Sequence, residues 1–201
     1  MKPYSVACDQ NREPILAVLK ALLTTQLTCT HHSLLEIGTG TGQHAVYFGE
    51  ALPHVLWQCS DQPQYHAGIQ LWLDEANLPN VLTPLSLNVS DDIWPTTQYD
   101  LLYCANVMHI MHWYHVIDLF QRGAPCIKPG GLMVCYGPFN VAGQYTSASN
   151  AQFDQSLKMR DPASGIRNVE DIERLANDVD LHLIQDNEMP ANNRILVWQK
   201  Q

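Results

Sequence analysis

Between residues 14 and 26 the apolar positions Ile15, Leu16, Val18, Leu19, Leu22 and Leu23 recur at helical spacing, and Pro14 suits a first helical turn. Beyond them, short apolar runs alternate with helical patterns. The runs predict strands over 33–37, 55–60, 81–87, 99–105 and 132–136. The intervening patterns predict helices over 43–52, 65–76 and 113–127, with Asn77-Leu78-Pro79-Asn80 and Lys128-Pro129-Gly130-Gly131 as stops. The run 99–105 is almost wholly apolar, as in a strand buried on both faces. Residues 91–95 read as a turn, and 140–150 as a polar stretch without period. Helices over 151–159 and 169–179 follow, then strands over 181–188 and 195–199 joined by a short link.

Strand–helix alternation implies an α/β, doubly wound, mostly parallel sheet. The last two strands are too closely linked for a crossover, so the sheet should end in an antiparallel hairpin strand. The expected architecture is one domain over 1–201, with 1–32 as an N-terminal helical segment or lid.

Composition narrows the function classes. The chain of 201 residues carries a net charge of −9 and only 11 Lys and Arg. No basic run exists, which argues against nucleic acid and against an anionic membrane surface. No apolar segment approaches the ~20 residues of a membrane span, and residues 1–9 lack the apolar core of a signal peptide. The six cysteines (Cys8, Cys29, Cys59, Cys104, Cys126, Cys135) form no C-x-x-C pair. A reducing cytoplasm, without disulfide framework or structural zinc, is the expectation.

The chemistry concentrates at strand ends. Leu34-Leu35-Glu36-Ile37-Gly38-Thr39-Gly40-Thr41-Gly42-Gln43-His44 reads as a buried strand, a glycine turn and a helix start. Such a turn exposes backbone N–H groups and a positive helix end at the mouth of a parallel sheet, where part of a nucleotide-like cofactor docks. Gln43 stands where a dinucleotide fingerprint has its third glycine. Glu36 would repel a pyrophosphate yet suits the ammonium of a methionine moiety. These two features favour S-adenosylmethionine, with Glu36, Gly38, Thr39, Gly40 and Gly42 as cofactor-binding candidates.

Asp61 lies about 20 residues beyond Gly38, where a carboxylate accepts hydrogen bonds from ribose hydroxyls. The competing reading is a cap for the next helix, since Pro63 follows closely. Asn88 and Val89 can bind and cover an adenine ring, or form a simple Asn turn. The strand 99–105 delivers Asn106 and His109 to the edge where ligands bind in open parallel sheets. His109, His112 and His115 are spaced three apart, but no carboxylate or cysteine completes a metal set.

The order LLEIGTGTGQHAVYF, WQCSDQ, CANVMHI, KPGGLMVCYGPF resembles class I S-adenosylmethionine-dependent methyltransferases. Further segments make the chain similar to the methyltransferase-like protein 26 family: 8–15 (CDQNREPI), 136–139 (YGPF), 149–154 (SNAQFD), 160–162 (RDP), 165–167 (GIR) and 189–193 (MPANN). The resemblance covers nearly the whole chain. It implies a Rossmann-like methyltransferase fold and S-adenosyl-L-methionine as cofactor, with no settled substrate. Relatives often carry Asp in place of Asn88. It also gives the N-terminal segment the role of a lid, with Tyr4, Asn11 and Arg12 as its polar contacts. Arg12 is equally well read as a solvated helix-start residue.

The implied reaction is in-line methyl transfer to an acceptor, with a small molecule as the expected partner. His109 and Tyr136 are the catalytic candidates for removing an acceptor proton. No Asn-Pro-Pro-aromatic tetrad follows the fourth strand, so methylation of nucleobase or glutamine amino groups is not indicated. Two other classes remain open: a non-catalytic sensor or scaffold that binds S-adenosylmethionine, and a nicotinamide-dependent oxidoreductase. The latter would need a third glycine and a Tyr-x-x-x-Lys pair, both absent.

Overall fold

The computed structural model describes residues 2–27, 30–91 and 93–201. Met1, Cys29 and Asp92, which entered the sequence reading, lie outside the described residues. The elements run α1 (Val6–Thr25), β1 (His32–Ile37), α2 (Gln43–Ala51), β2 (Val55–Asp61), α3 (Pro63–Ala76), β3 (Val81–Ser86) and β4 (Tyr99–Ala105). They continue with α4 (Trp113–Gly123), β5 (Ile127–Gly137), β6 (Phe139–Asn140), α5 (Ala148–Arg160), β7 (Arg167–Asn168), α6 (Val169–Asn177), β8 (Leu181–Met189) and β9 (Asn193–Lys200).

Seven strands form one sheet in the order β3-β2-β1-β4-β5-β9-β8. The first five pair in parallel, and β9 is antiparallel to both β5 and β8. The expected doubly wound sheet with an antiparallel terminal hairpin is what forms. The strand order reverses between β1 and β4, so the loops leaving these strands diverge and open a crevice. The short pair β6–β7 lies outside this sheet.

Alternation along the strands builds two cores. Leu34, Leu101, Tyr103, Leu132, Val134 and Tyr136 face α1, α2 and α3, which bury Ile15, Leu19, Phe48 and Ile69 there. Leu35, Ile37, Leu102, Cys104, Met133 and Cys135 face α4 and α6, against Leu119, Phe120 and Ile172. Each such fully buried side chain contributes roughly 1.5–3 kcal/mol. The same parity puts Glu36 and Tyr136 on the α1 side. Edge strand β3 carries Pro84, tolerable where one side of the ladder is open.

Several boundaries differ from the sequence reading. Helix α4 ends at Gly123, and β5 begins at Ile127, so that Lys128-Pro129-Gly130-Gly131 lies in a strand rather than ending a helix. Helix α1 begins at Val6, and Pro14 lies inside it rather than in its first turn. Proline removes one backbone donor at a cost of ~3 kcal/mol in a helix interior. Tertiary bonds hold the turns before it: the Ser5 N–H donates to Gln43 Oε1 (2.6 Å), Gln43 Nε2 to the Ser5 carbonyl (3.2 Å), and Asn11 Oδ1 meets His44 Nε2 (2.7 Å). Helix α5 starts at Ala148 instead of 151, because Ser147 caps it by accepting from the Asn150 N–H (3.1 Å). Among the described residues no helix is long and apolar enough to cross a membrane.

Candidate functional site

The three glycines after β1 are all left-handed, with φ of +71° (Gly38), +65° (Gly40) and +93° (Gly42). Their surroundings give them different tasks. A Cβ on Gly38 would press the Val107 side chain at 3.0 Å. A Cβ on Gly42 would meet Trp72 Cβ at 3.1 Å and the Ile69 backbone at 3.3 Å. Gly42, expected at the cofactor with the other two, instead allows α2 to close on α3. At Gly40 the nearest atom is the Gly38 carbonyl at 3.9 Å, so the space above it is open.

On one side of the turn lies a cavity of about 480 Å³, lined by Gly38, Gly40, Asp61, Asn88, Val89 and Asn106 among others. Asp61 ends β2. Its Oδ2 accepts from the Gly40 N–H (2.7 Å) and its Oδ1 from the Gln62 N–H (2.7 Å). Burial pushes its carboxyl upward, while these two amides oppose the shift. Helix α3 takes Gln62, not Asp61, as N-cap, and no side chain caps it. Asn88 lines the cavity and forms the Asn turn as well: its carbonyl accepts from the Asp91 N–H (2.9 Å) and its Oδ1 from the Ser90 N–H (3.4 Å). The Asn turn is thus formed, with Asn88 still on the cavity wall.

On the other side lies a cavity of about 320 Å³, lined by Glu36, Thr39, Thr41, Asn106, His109 and Phe153, with Ser5, Ala7 and Cys8 of the N-terminal segment. Glu36 is buried, and its Oε2 accepts from the Thr39 hydroxyl (3.0 Å) and from Trp57 Nε1 (2.9 Å). Burial raises its pKa to about 7. Thr39 also accepts from the Ser60 N–H (3.1 Å), tying the turn to β2. His109 packs edge-on against Phe153, 5.2 Å between ring centres. Burial, with Arg167 and Arg160 nearby, lowers its pKa to about 4, so its ring is neutral near pH 7. No hydrogen-bond partner among the described residues reaches its ring nitrogens. Asn106 stands between the two cavities in a left-handed conformation (φ +58°), its N–H donating to the Tyr136 carbonyl (2.8 Å).

Other sequence candidates fall elsewhere. Tyr136 does not join His109; it lines a smaller neighbouring cavity with Asn11 and Asn193, because its place on β5 points it towards α1. Its hydroxyl accepts from Asn193 Nδ2 (2.9 Å), and burial raises its pKa. Arg12, read as a lid contact or a solvated helix-start residue, lines none of these cavities. It pairs with Asp9 (2.9 Å) and stacks over Tyr47 (4.6 Å). Tyr4 is exposed and bonds to Asp9. From the N-terminal segment, Ser5, Ala7 and Cys8 line the cavity beside Glu36, with Ser5 held by Gln43, and Asn11 lines the cavity beside Tyr136. The spacing of three does not unite the histidines: His109 is buried against Phe153, whereas His112 pairs with Asp161 (2.7 Å) and lies beside His115. No group of three potential ligands gathers for a metal among the described residues.

Sequence reasoning missed Gln43, Asn150, Phe153 and Asn193 as site residues. Asn150, Phe153 and Asn193 sit in the segments 149–154 and 189–193 that carried the resemblance, which was the available signal.

A family model described as "Protein of unknown function (DUF938)" matches residues 2–200. The chain belongs to the DUF938 family. Solved structures share the fold of this DUF938 member at low identity. An O-methyltransferase family protein from Burkholderia thailandensis is similar at a TM-score of 0.81 and 14% identity, over 94% of this chain and 56% of that one. The S-adenosylmethionine-dependent methyltransferase SibL, solved in apo form, gives 0.79 and 18%, over 96% and 55%. PigF, solved with SAH, gives 0.75 and 13%, over 96% and 68%. The DUF938 chain thus spans little more than half the length of the first two. Its fold is the Rossmann-like methyltransferase fold.

Proposed function

We propose that this chain is an S-adenosylmethionine-dependent methyltransferase acting on a small molecule. The observation that carries the reading is Gly40: a left-handed glycine whose missing side chain leaves open space, hydrogen-bonded to the Asp61 carboxylate at the point where strand order reverses. The cavities on either side fit the two halves of the cofactor. Asp61, Asn88 and Val89 suit a ribose and adenine, and a cavity of about 480 Å³ is within the usual size for small ligands. Glu36, held by Thr39 and Trp57, suits an ammonium group. No Lys or Arg lines either cavity among the described residues, which favours a cofactor without phosphates over a dinucleotide.

Bound S-adenosylmethionine supplies a sulfonium methyl that leaves its sulfur without the bonding electron pair. The protein's part is alignment and exclusion of water. Asn106, fixed by the Tyr136 carbonyl, separates the two cavities. The N-terminal segment, tied to Gln43 by two bonds, covers the glycine turn. His109, neutral and unpartnered, can accept a proton from an acceptor hydroxyl or amine.

Within the methyltransferases, we place the chain with the methyltransferase-like protein 26 family on the segments quoted above. Cys8, Cys59, Cys104, Cys126 and Cys135 are free, which suits a reducing cytoplasm. Calorimetry with S-adenosylhomocysteine, S-adenosylmethionine and NAD tests the cofactor. Micromolar binding of the first two and none of NAD is expected; NAD binding alone overturns the reading. A metabolite-pool screen for methyl release then tests catalysis, and binding without any release returns the sensor interpretation.

A further inference from the structure

Beyond Asn106, away from the glycine turn, two further cavities hold residues that the cofactor reading does not use. One of about 320 Å³ lies between α5 and the β8–β9 link, lined by Asn106, Asn150, Phe153 and Asn193. Another, about 120 Å³, lies beneath α1 and adds Tyr136 and Asn11. Among the described residues no Asp, Glu, Lys, Arg or His lines either one, in a chain of net charge −9.

Two amides there have a fixed orientation. Asn150 Nδ2 donates to the Asn192 carbonyl (2.9 Å) and to Thr146 Oγ1 (2.9 Å). Asn193 Nδ2 donates to the Tyr136 hydroxyl (2.9 Å) and to the Pro190 carbonyl (3.4 Å). A backbone carbonyl only accepts, so the NH₂ of each amide faces it and the amide oxygen is turned away. No donor among the described residues reaches either oxygen, and neither is a sealed, partnerless atom. The Asn106 side-chain amide likewise meets no partner among the described residues. The wall presents uncharged hydrogen-bonding groups: the two amide oxygens as acceptors, the Asn106 amide, and the Tyr136 hydroxyl, which accepts from Asn193 and keeps its own proton to donate.

The geometry points to a subsite for an uncharged, polyhydroxylated small molecule, bound as the methyl acceptor; its role as acceptor rests on the methyltransferase reading. Hydroxyl groups supply the donors that free amide oxygens lack. A carboxylate or an ammonium would shed water here and find no opposite charge. Phe153 and Asn106 belong to this subsite and to the cavity holding His109, so a bound hydroxyl can reach both. Methylation forms the oxygen–carbon bond and breaks the carbon–sulfur bond. The electron pair stays on sulfur, and the hydroxyl proton passes to the His109 ring and then to solvent.

Glucose, glucuronate and glucosamine share one ring and differ in charge. Saturation-transfer NMR on the full chain, with S-adenosylhomocysteine titrated calorimetrically into the same samples, compares them. Glucose should give at least about fivefold more transfer than either charged sugar. Asn193→Asp should reverse the order in favour of glucosamine and leave S-adenosylhomocysteine affinity within about twofold. The proposal is overturned by a charged sugar matching glucose on the wild-type chain. Equally decisive is the absence of transfer to glucose at about 10 mM while S-adenosylhomocysteine binds. If S-adenosylhomocysteine itself does not bind, the methyltransferase reading fails, and the glucose comparison still judges the subsite. Should Asn193→Asp not fold, the wild-type charge series decides.

Discussion

Gly40→Ala separates ligand space from backbone strain. Gly40 has φ +65°, and a left-handed conformation costs an L-residue roughly 1–2 kcal/mol. In a chain of 201 residues each kcal/mol shifts Tm by roughly 2–4 °C, so the variant should melt about 2–8 °C lower. No steric cost adds to this, because the nearest atom to the new methyl is the Gly38 carbonyl at 3.9 Å. The methyl fills only the space where the cofactor must approach the backbone. S-adenosylhomocysteine affinity should fall by more than about tenfold, roughly 1.4 kcal/mol. Gly130→Ala is the matched control: Gly130 has φ +76° with no atom within 4 Å of its Cβ, and it sits near the start of β5. It should melt lower by a similar amount and bind normally. Thermal melts and calorimetry on both variants suffice. Gly40→Ala binding within twofold of wild type would refute the placement, as would an equal loss in Gly130→Ala.

Asp61→Ala should weaken S-adenosylhomocysteine by about 1.5–3 kcal/mol and leave 2′,3′-dideoxyadenosine binding unaffected. Equal losses for both ligands would mean that Asp61 acts only by holding the Gly40 amide. Glu36, raised from 4.5 to about 7 by burial, binds its proton more tightly folded than unfolded. Its contribution is therefore full below about pH 4.5 and lost as pH rises through about 7, on the order of 3 kcal/mol. Urea unfolding of the ligand-free chain should show wild type losing that much relative to Glu36→Gln between pH 4.5 and 8; a constant difference sinks the assignment. His109 should titrate near pH 4 in ring NMR, and a midpoint near 6.5 would place it in solvent rather than against Phe153.

Strand parity and glycine spacing were legible without any structure. Residues 132–136 were legible as a strand, and a side-chain period of two then sets Leu132, Val134 and Tyr136 on the face opposite Met133 and Cys135. The strand–glycine–helix run located the crevice, since glycine takes its three left-handed positions without the cost a Cβ brings. Those local rules also placed Asp61, Asn88 and Asn106 at strand ends on one edge. The acidic chain with few Lys and Arg limited the ligands worth considering.

Tertiary structure decided the rest. What a glycine's missing Cβ would touch depends on segments distant in sequence: open space at Gly40, helix α3 at Gly42. Helix α1 runs through Pro14 because its early turns bond to Gln43 and His44, distant in sequence. Arg12 turned from ligand to structure once Asp9 and Tyr47 lay beside it. His109 became neutral through burial, and Tyr136 was drawn into a separate cavity by the face of β5 on which it sits. Dihedral preference and side-chain period are local and were written in the sequence. Burial, hydrogen-bond partnership and convergence on a cavity are pairwise properties of distant segments, and they exist only once the sheet has brought those segments together.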